Sequence, residues 1–145
     1  MILELVVTLC TGLFAGAAIY VSLVEHPARV EGGTPLALAE FGPSYRRASV
    51  MQASLAVVGC LAAVAAWAQG SATAVLVAGL LLGAAVPFTL IVMLPTNKRL
   101  LDAGLDRTSP EARALLARWG RLHAVRSVVS GAAFLLLGLS RAAVL

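Results

Sequence analysis

The chain has 145 residues, of which 60% are hydrophobic and only 12% charged, and its mean hydropathy is +0.93. A water-soluble domain carries about a quarter charged residues and about half apolar ones, so this composition excludes an ordinary soluble globule and leaves one domain solvated by lipid. The formal charge of +4 does not signal nucleic acid, because the basic residues flank apolar runs and form no stripe interleaved with aromatics.

Four apolar runs, 2–24, 48–68, 73–94 and 125–145, each hold roughly the 20 residues that a helix needs to cross a bilayer core. The predicted fold class is therefore all-α: an integral membrane four-helix bundle occupying 1–145 as a single domain. The first run is expected to be retained, because no Lys or Arg precedes it, Glu4 is its only early charge, and it exceeds a signal core in length. Proline disfavours helical backbone in the residue before it, so helix one is expected to stop near His26, ahead of Pro27. Residues 28–47 then read as a polar connection punctuated by Gly32-Gly33, Pro35 and Gly42-Pro43, with a short helical turn over 35–41.

Gln69-Gly70-Ser71 is a tight turn that forces helices two and three to be antiparallel neighbours. Pro87 is expected to kink helix three and free the carbonyl one turn earlier, and Leu94-Pro95-Thr96 to end that helix. Thr108-Ser109-Pro110-Glu111 has the hydroxyl cap, first-turn proline and early acid of a helix start. A fourth helix beginning there spans about 35 residues, or about 50 Å, so its first turns project beyond the bilayer. Ten of the eleven Lys and Arg residues fall in or beside 25–47 and 95–124, and only Arg141 approaches the other side. The positive-inside bias places those connections in the cytoplasm, with both termini outside, in a multi-pass protein of a bacterial-type plasma membrane. Gly12 with Gly16 and Gly79 with Gly83 have the GxxxG spacing of close helix contacts, inside the bundle or between copies in a homo-oligomer. Cys10 and Cys60 lie inside apolar runs, outside any metal or redox spacing, and read as small buried hydrophobes.

Polar groups are costly in hydrocarbon, so their positions carry information. Here they gather at one end: Glu25 and His26 closing helix one, Gln52 near the start of helix two, Asn97 and Lys98 after helix three. Trp119, His123, Arg126, Ser127 and Ser130 share one face of helix four. That stripe has two readings, a site facing the bundle interior or a set of interfacial anchors. Glu25 has two as well. It pairs with Arg126, Arg99 or Lys98, or it joins His26 and His123 in the two-histidine, one-carboxylate set of non-haem iron centres.

At these residues the chain resembles the anthrone oxygenase-like membrane proteins. The resemblance rests on Gly12-Leu13-Phe14-Ala15-Gly16 leading to Glu25-His26-Pro27, on Leu94-Pro95-Thr96-Asn97-Lys98-Arg99, and on Trp119-Gly120-Arg121-Leu122-His123-Ala124-Val125-Arg126. It covers essentially the whole chain and implies a compact four-helix membrane fold. It further implies an oxygenase or oxidoreductase acting on a lipophilic aromatic, anthrone- or quinol-like, and the clustering of polar residues puts its site on the cytoplasmic half of the bundle. Such chemistry needs a base, for which His26 or His123 is suited. It needs a donor or cation at the developing oxyanion, from Arg126, Lys98 or Asn97. It also needs an apolar slot, walled by Trp119 with Gln52 and Lys98 at its edge. The cofactor expectation is either none or a single iron or copper ion; no flavin or nicotinamide fingerprint is present. The competing reading is a non-catalytic membrane module that binds a hydrophobic ligand or a partner protein.

Overall fold

The computed structural model describes residues 1–142, and in that span the chain is four long helices: α1 (Ile2–Glu31), α2 (Thr34–Ala68), α3 (Thr73–Leu100) and α4 (Pro110–Ala142). Each is long and apolar enough to cross a membrane. Sequential helices pack side by side and α1 closes the ring on α4, giving an up-and-down four-helix bundle. The N-terminus, the 69–72 turn and the end of α4 meet at one end, where Ser71 Oγ donates to Glu4 Oε1 at 2.8 Å and Arg141 approaches Glu4 at 3.6 Å. The 32–33 turn and the 101–109 loop form the opposite, polar end.

The connections at that end are far shorter than the sequence implies. Pro27 does not stop α1, which runs on to Glu31, and the whole turn is Gly32-Gly33, with Gly33 at φ 97°. Residues 34–47 are helical throughout, Pro43 included, and α3 likewise passes Pro95 and ends at Leu100. The reason is local. A proline ring strikes the carbonyl four residues back and cannot donate to it. Ahead of Pro27 and of Pro95 the helix widens into a π turn, over Val21–Glu25 and Thr89–Met93 respectively. These wide turns accommodate the ring without breaking the rod. Pro87 acts as expected: the helix is interrupted at Ala84, one turn before it.

The start of α4 also follows the sequence, with Ser109 Oγ accepting from the Ala112 amide at 3.1 Å. Arg99 at the end of α3 clamps this start, donating to Glu111 Oε1 at 2.7 Å and to Asp102 Oδ2 at 2.5 Å. The Gly104 amide and Arg99 together hold the Asp102 carboxyl below its ordinary range.

Packing changes along the bundle axis. Near the termini the core is small: Ala62, Ala63, Ala66, Ala78 and Ala133 with Val7, Val75 and Leu137. The Gly79 and Gly83 face lies against α2, where a Cβ on Gly79 would meet Ala63 Cβ at 2.1 Å and one on Gly83 would meet Cys60 Sγ at 2.7 Å. That face is thus filled inside the protomer and is not open to a second copy. Cys10 is buried and Cys60 half-buried, both free thiols. At the polar end the core is bulky, built on Phe41, Met93, Leu116 and Trp119. Large apolar side chains such as Leu13, Leu61, Ile91, Val128 and Leu139 point outward, the pattern of a lipid-facing surface.

Candidate functional site

The π turn of α1 rotates Ser22 and Glu25 relative to a regular helix, and the continuation past Pro27 adds a turn that places Arg29 four residues beyond Glu25. These two form a salt bridge, and Ser44 Oγ of α2 donates to the same Glu25 Oε1 at 2.9 Å. Glu25 was expected to pair with Arg126, Arg99 or Lys98; its partner is Arg29, an i,i+4 neighbour that exists only because the helix does not end at His26.

The stripe on α4 faces inward, not toward the headgroups. Trp119, His123, Ser127 and Ser130 are buried and Arg126 is half-buried. Trp119 stacks on His123 (ring centroids 4.7 Å apart, planes at 24°), meets Phe41 edge-on at 5.4 Å, and is backed by His26 at 5.0 Å. His26 reaches this position because residue 120 is glycine: a Cβ there would lie 2.6 Å from His26 Nε2.

Three contacts fix the His123 ring. His123 Nδ1 is 3.0 Å from Ser22 Oγ, Ser22 Oγ is 2.7 Å from Ser127 Oγ, and Ser127 Oγ is 2.8 Å from the Ala18 carbonyl oxygen. A carbonyl only accepts, so the Ser127 proton goes to Ala18, the Ser22 proton to Ser127, and the Nδ1 proton to Ser22. Ser127 Oγ also lies 3.2 Å from the His123 carbonyl oxygen, and whichever carbonyl takes its proton, the Ser22 and Nδ1 protons keep these directions. It leaves His123 Nε2 with a free lone pair. Ser22 escaped the sequence reading because a lone serine in an apolar run, 101 residues from its partner, has no periodic signal.

These groups surround a cavity of about 170 Å³ between the helices at the polar half of the bundle. Of the residues singled out from sequence, His123, Asn97, Arg126, Trp119 and Gln52 line it. Gln52 Oε1 accepts from Arg126 Nη2 at 2.7 Å, and Arg126 lies over the Phe14 ring at 5.3 Å. Asn97 Nδ2 donates to Tyr45 Oη at 3.3 Å. His26 sits behind Trp119, Glu25 belongs to the Arg29 pair, and Lys98 is exposed; none of the three lines the cavity. The sequence reading missed Tyr45, Phe41, Arg29 and Ser44; Arg29, Ser44 and Tyr45 lie on helical turns expected to be loop, and Phe41 closes the one short turn that was expected.

The three-donor metal set is not assembled. Trp119 packs against both histidines, Glu25 is engaged by Arg29 and Ser44, and the described residues contain no group of three or more His, Cys, Asp or Glu able to hold a metal ion. The residues present do not fit an iron or copper centre built from Glu25, His26 and His123. Several buried polar atoms around the cavity lack a protein partner: Asn97 Oδ1, Trp119 Nε1, Arg29 Nε and Arg126 Nε, with Thr96 Oγ1 and His26 Nδ1 nearby in the chain. Buried polar groups are normally satisfied, so these atoms leave hydrogen-bonding capacity at the cavity for water or for the polar atoms of a ligand.

Fold and site together define a multi-pass helical membrane protein with a polar-lined cavity inside an otherwise apolar bundle. The sequence profile of the anthrone oxygenase family matches residues 41–136, and the chain belongs to that family. It is 34% identical over 129 residues to the anthrone oxygenase tpcL of Aspergillus fumigatus, covering 81% of this chain and 80% of the relative. It is 32% identical over 143 residues to an anthrone oxygenase of Claviceps purpurea, covering 86% and 80%. No solved structure matches the chain.

Proposed function

We propose that the protein is an oxygenase that converts the methylene of an anthrone-like, lipophilic aromatic into a carbonyl inside this cavity. The observation that carries the reading is His123, held with its Nε2 lone pair free, beside Arg126 and Trp119 in a single apolar-walled cavity. His123 removes a proton from the methylene carbon, and the electron pair delocalises through the central ring onto the ketone oxygen as an enolate. Asn97 donates to that oxygen, and the Arg126 charge favours the anion across the low-dielectric site, where such interactions act most strongly. The carbanionic carbon bonds dioxygen and, after protonation, carries a hydroperoxide. Loss of the second C–H proton with expulsion of hydroxide leaves the new carbonyl and water, so dioxygen is the oxidant and the atoms balance.

Trp119 and Phe41 serve as the aromatic wall, and Gln52 aims Arg126. His26 buttresses Trp119 from behind, Glu25 anchors Arg29, and Lys98 addresses the headgroup layer. The polar end is read as the cytoplasmic one, from the ten basic residues gathered there.

The test is oxygen uptake and anthraquinone formation from an anthrone by the protein in lipid nanodiscs. Turnover well above the spontaneous rate is expected, with loss of about 100-fold or more in His123→Ala at unchanged thermal stability. A wild-type rate equal to the spontaneous one would favour the ligand-binding module over the enzyme.

A further inference from the structure

The cavity holds an electrostatic imbalance. Two guanidinium groups line it, Arg29 and Arg126, and no carboxylate does. Arg29 is neutralised by Glu25. Arg126 is not: among the described residues no Asp or Glu lies within ion-pair distance of it. Its contacts are the neutral amide of Gln52 and the face of Phe14, and its Nε has no partner. An uncompensated cation taken out of water costs several kcal/mol, and one hydrogen bond with one ring face offsets only part of this. Transient charge in a reaction does not relieve a ground-state imbalance. The Arg126 fork therefore calls for an anion that is present from the moment of binding.

Resting on the reading above, we infer that the substrate enters as an anion, an aromatic bearing an ionised oxygen such as a carboxylate or phenolate, and that Arg126 selects for it. A flat aromatic anion suits the site better than a lipid headgroup, because Trp119, Phe41 and Phe14 wall the same cavity. The charged oxygen sits at Arg126, in two-point contact of the kind guanidinium groups make.

The experiment measures binding and needs no turnover. The protein with Trp67→Phe keeps Trp119 as its only indole, and quenching of Trp119 in phosphatidylcholine nanodiscs reports occupancy. Anthraquinone-2-carboxylate is expected to bind about tenfold or more tightly than the uncharged anthraquinone-2-carboxamide. Arg126→Gln is expected to erase that preference, and Arg126→Lys to keep most of it. Comparing ratios between proteins cancels the different lipid partitioning of the two compounds. Equal binding to unsubstituted Arg126, or a preference that survives in R126Q, overturns the inference while leaving the oxygenase reading intact. Should R126Q fail to insert, the ratio with Arg126 and in R126K still decides. If neither compound quenches Trp119, the aromatic-substrate reading falls and this inference falls with it. Repeating the measurement with phosphatidylglycerol discs separates the sources of anion: a preference unchanged there supports the aromatic anion, and one abolished there reassigns Arg126 to lipid phosphate.

Discussion

At His123 three hydrogen bonds decide what the ring can do. The relay through Ser22 and Ser127 ends on a backbone carbonyl, so it has a direction, and the direction sets the tautomer. Ser22→Ala removes the acceptor for Nδ1–H while leaving the imidazole in place. We expect turnover to fall roughly tenfold, with nitrogen-15 shifts of His123 moving from a single Nδ1–H form to a tautomer mixture. An unchanged rate with an unchanged tautomer would remove Ser22 from the mechanism. A second single-residue requirement lies at position 120, where Gly120→Ala puts a methyl 2.6 Å from His26 Nε2. The overlap pushes α1 away from α4 at Trp119. A loss of about 1–3 kcal/mol in stability is expected, and adding His26→Ala should recover part of it, a coupling that a double-mutant cycle reads directly.

Among the elements, the helices keep going where their prolines were expected to stop them, and this one fact accounts for most of what the sequence reading got wrong. A connection over 28–47 with only a short helical turn at 35–41 was the natural reading of so many turn residues, yet two glycines suffice for the turn and the remainder joins α1 or α2. Proline's disfavour of helix is a local cost of a few kcal/mol; a π turn lowers it, and tertiary packing of Phe41, Leu38 and Ala37 against Leu116 and Trp119 offsets the rest. Local propensity carries no record of that packing, so Arg29, Ser44 and Tyr45 remained invisible as cavity residues. The glycine spacing in α3, by contrast, was legible. Because Gly79 meets Ala63 so closely, Gly79→Ala should lower thermal stability by about 1–3 kcal/mol, and Ala63→Gly in the same chain should restore much of it. Absence of rescue would mean that the α2–α3 contact is not where the cost arises.

Across the whole molecule, side-chain volume grades from alanine-rich at the terminal end to aromatic at the polar end. Small residues let four backbones approach closely, and the cavity lies toward the half whose core is bulky and aromatic. The topology puts the 32–33 turn and the 101–109 loop at the same end, opposite the 69–72 turn. Single cysteines at Glu31 and Ala103 should therefore react with a membrane-impermeant maleimide from one face of sealed vesicles, and a cysteine at Ala72 from the other. The charge bias predicts that the first face is cytoplasmic. Labelling of positions 31 and 103 from opposite faces would break the bundle topology itself.

Four apolar runs of bilayer length, the turn at 69–72, the cap at Ser109 and the existence of a polar stripe on α4 were all readable from the sequence, because hydropathy and helical period are properties of contiguous residues; that the stripe faces the bundle interior was decided by the packing. The tertiary structure alone decided that Glu25 pairs with Arg29, that His26 stands behind Trp119 and not beside His123 in a metal set, and that Ser22 orients His123. Those outcomes depend on distances between helices far apart in the chain, and on how far each helix runs before packing outweighs its prolines.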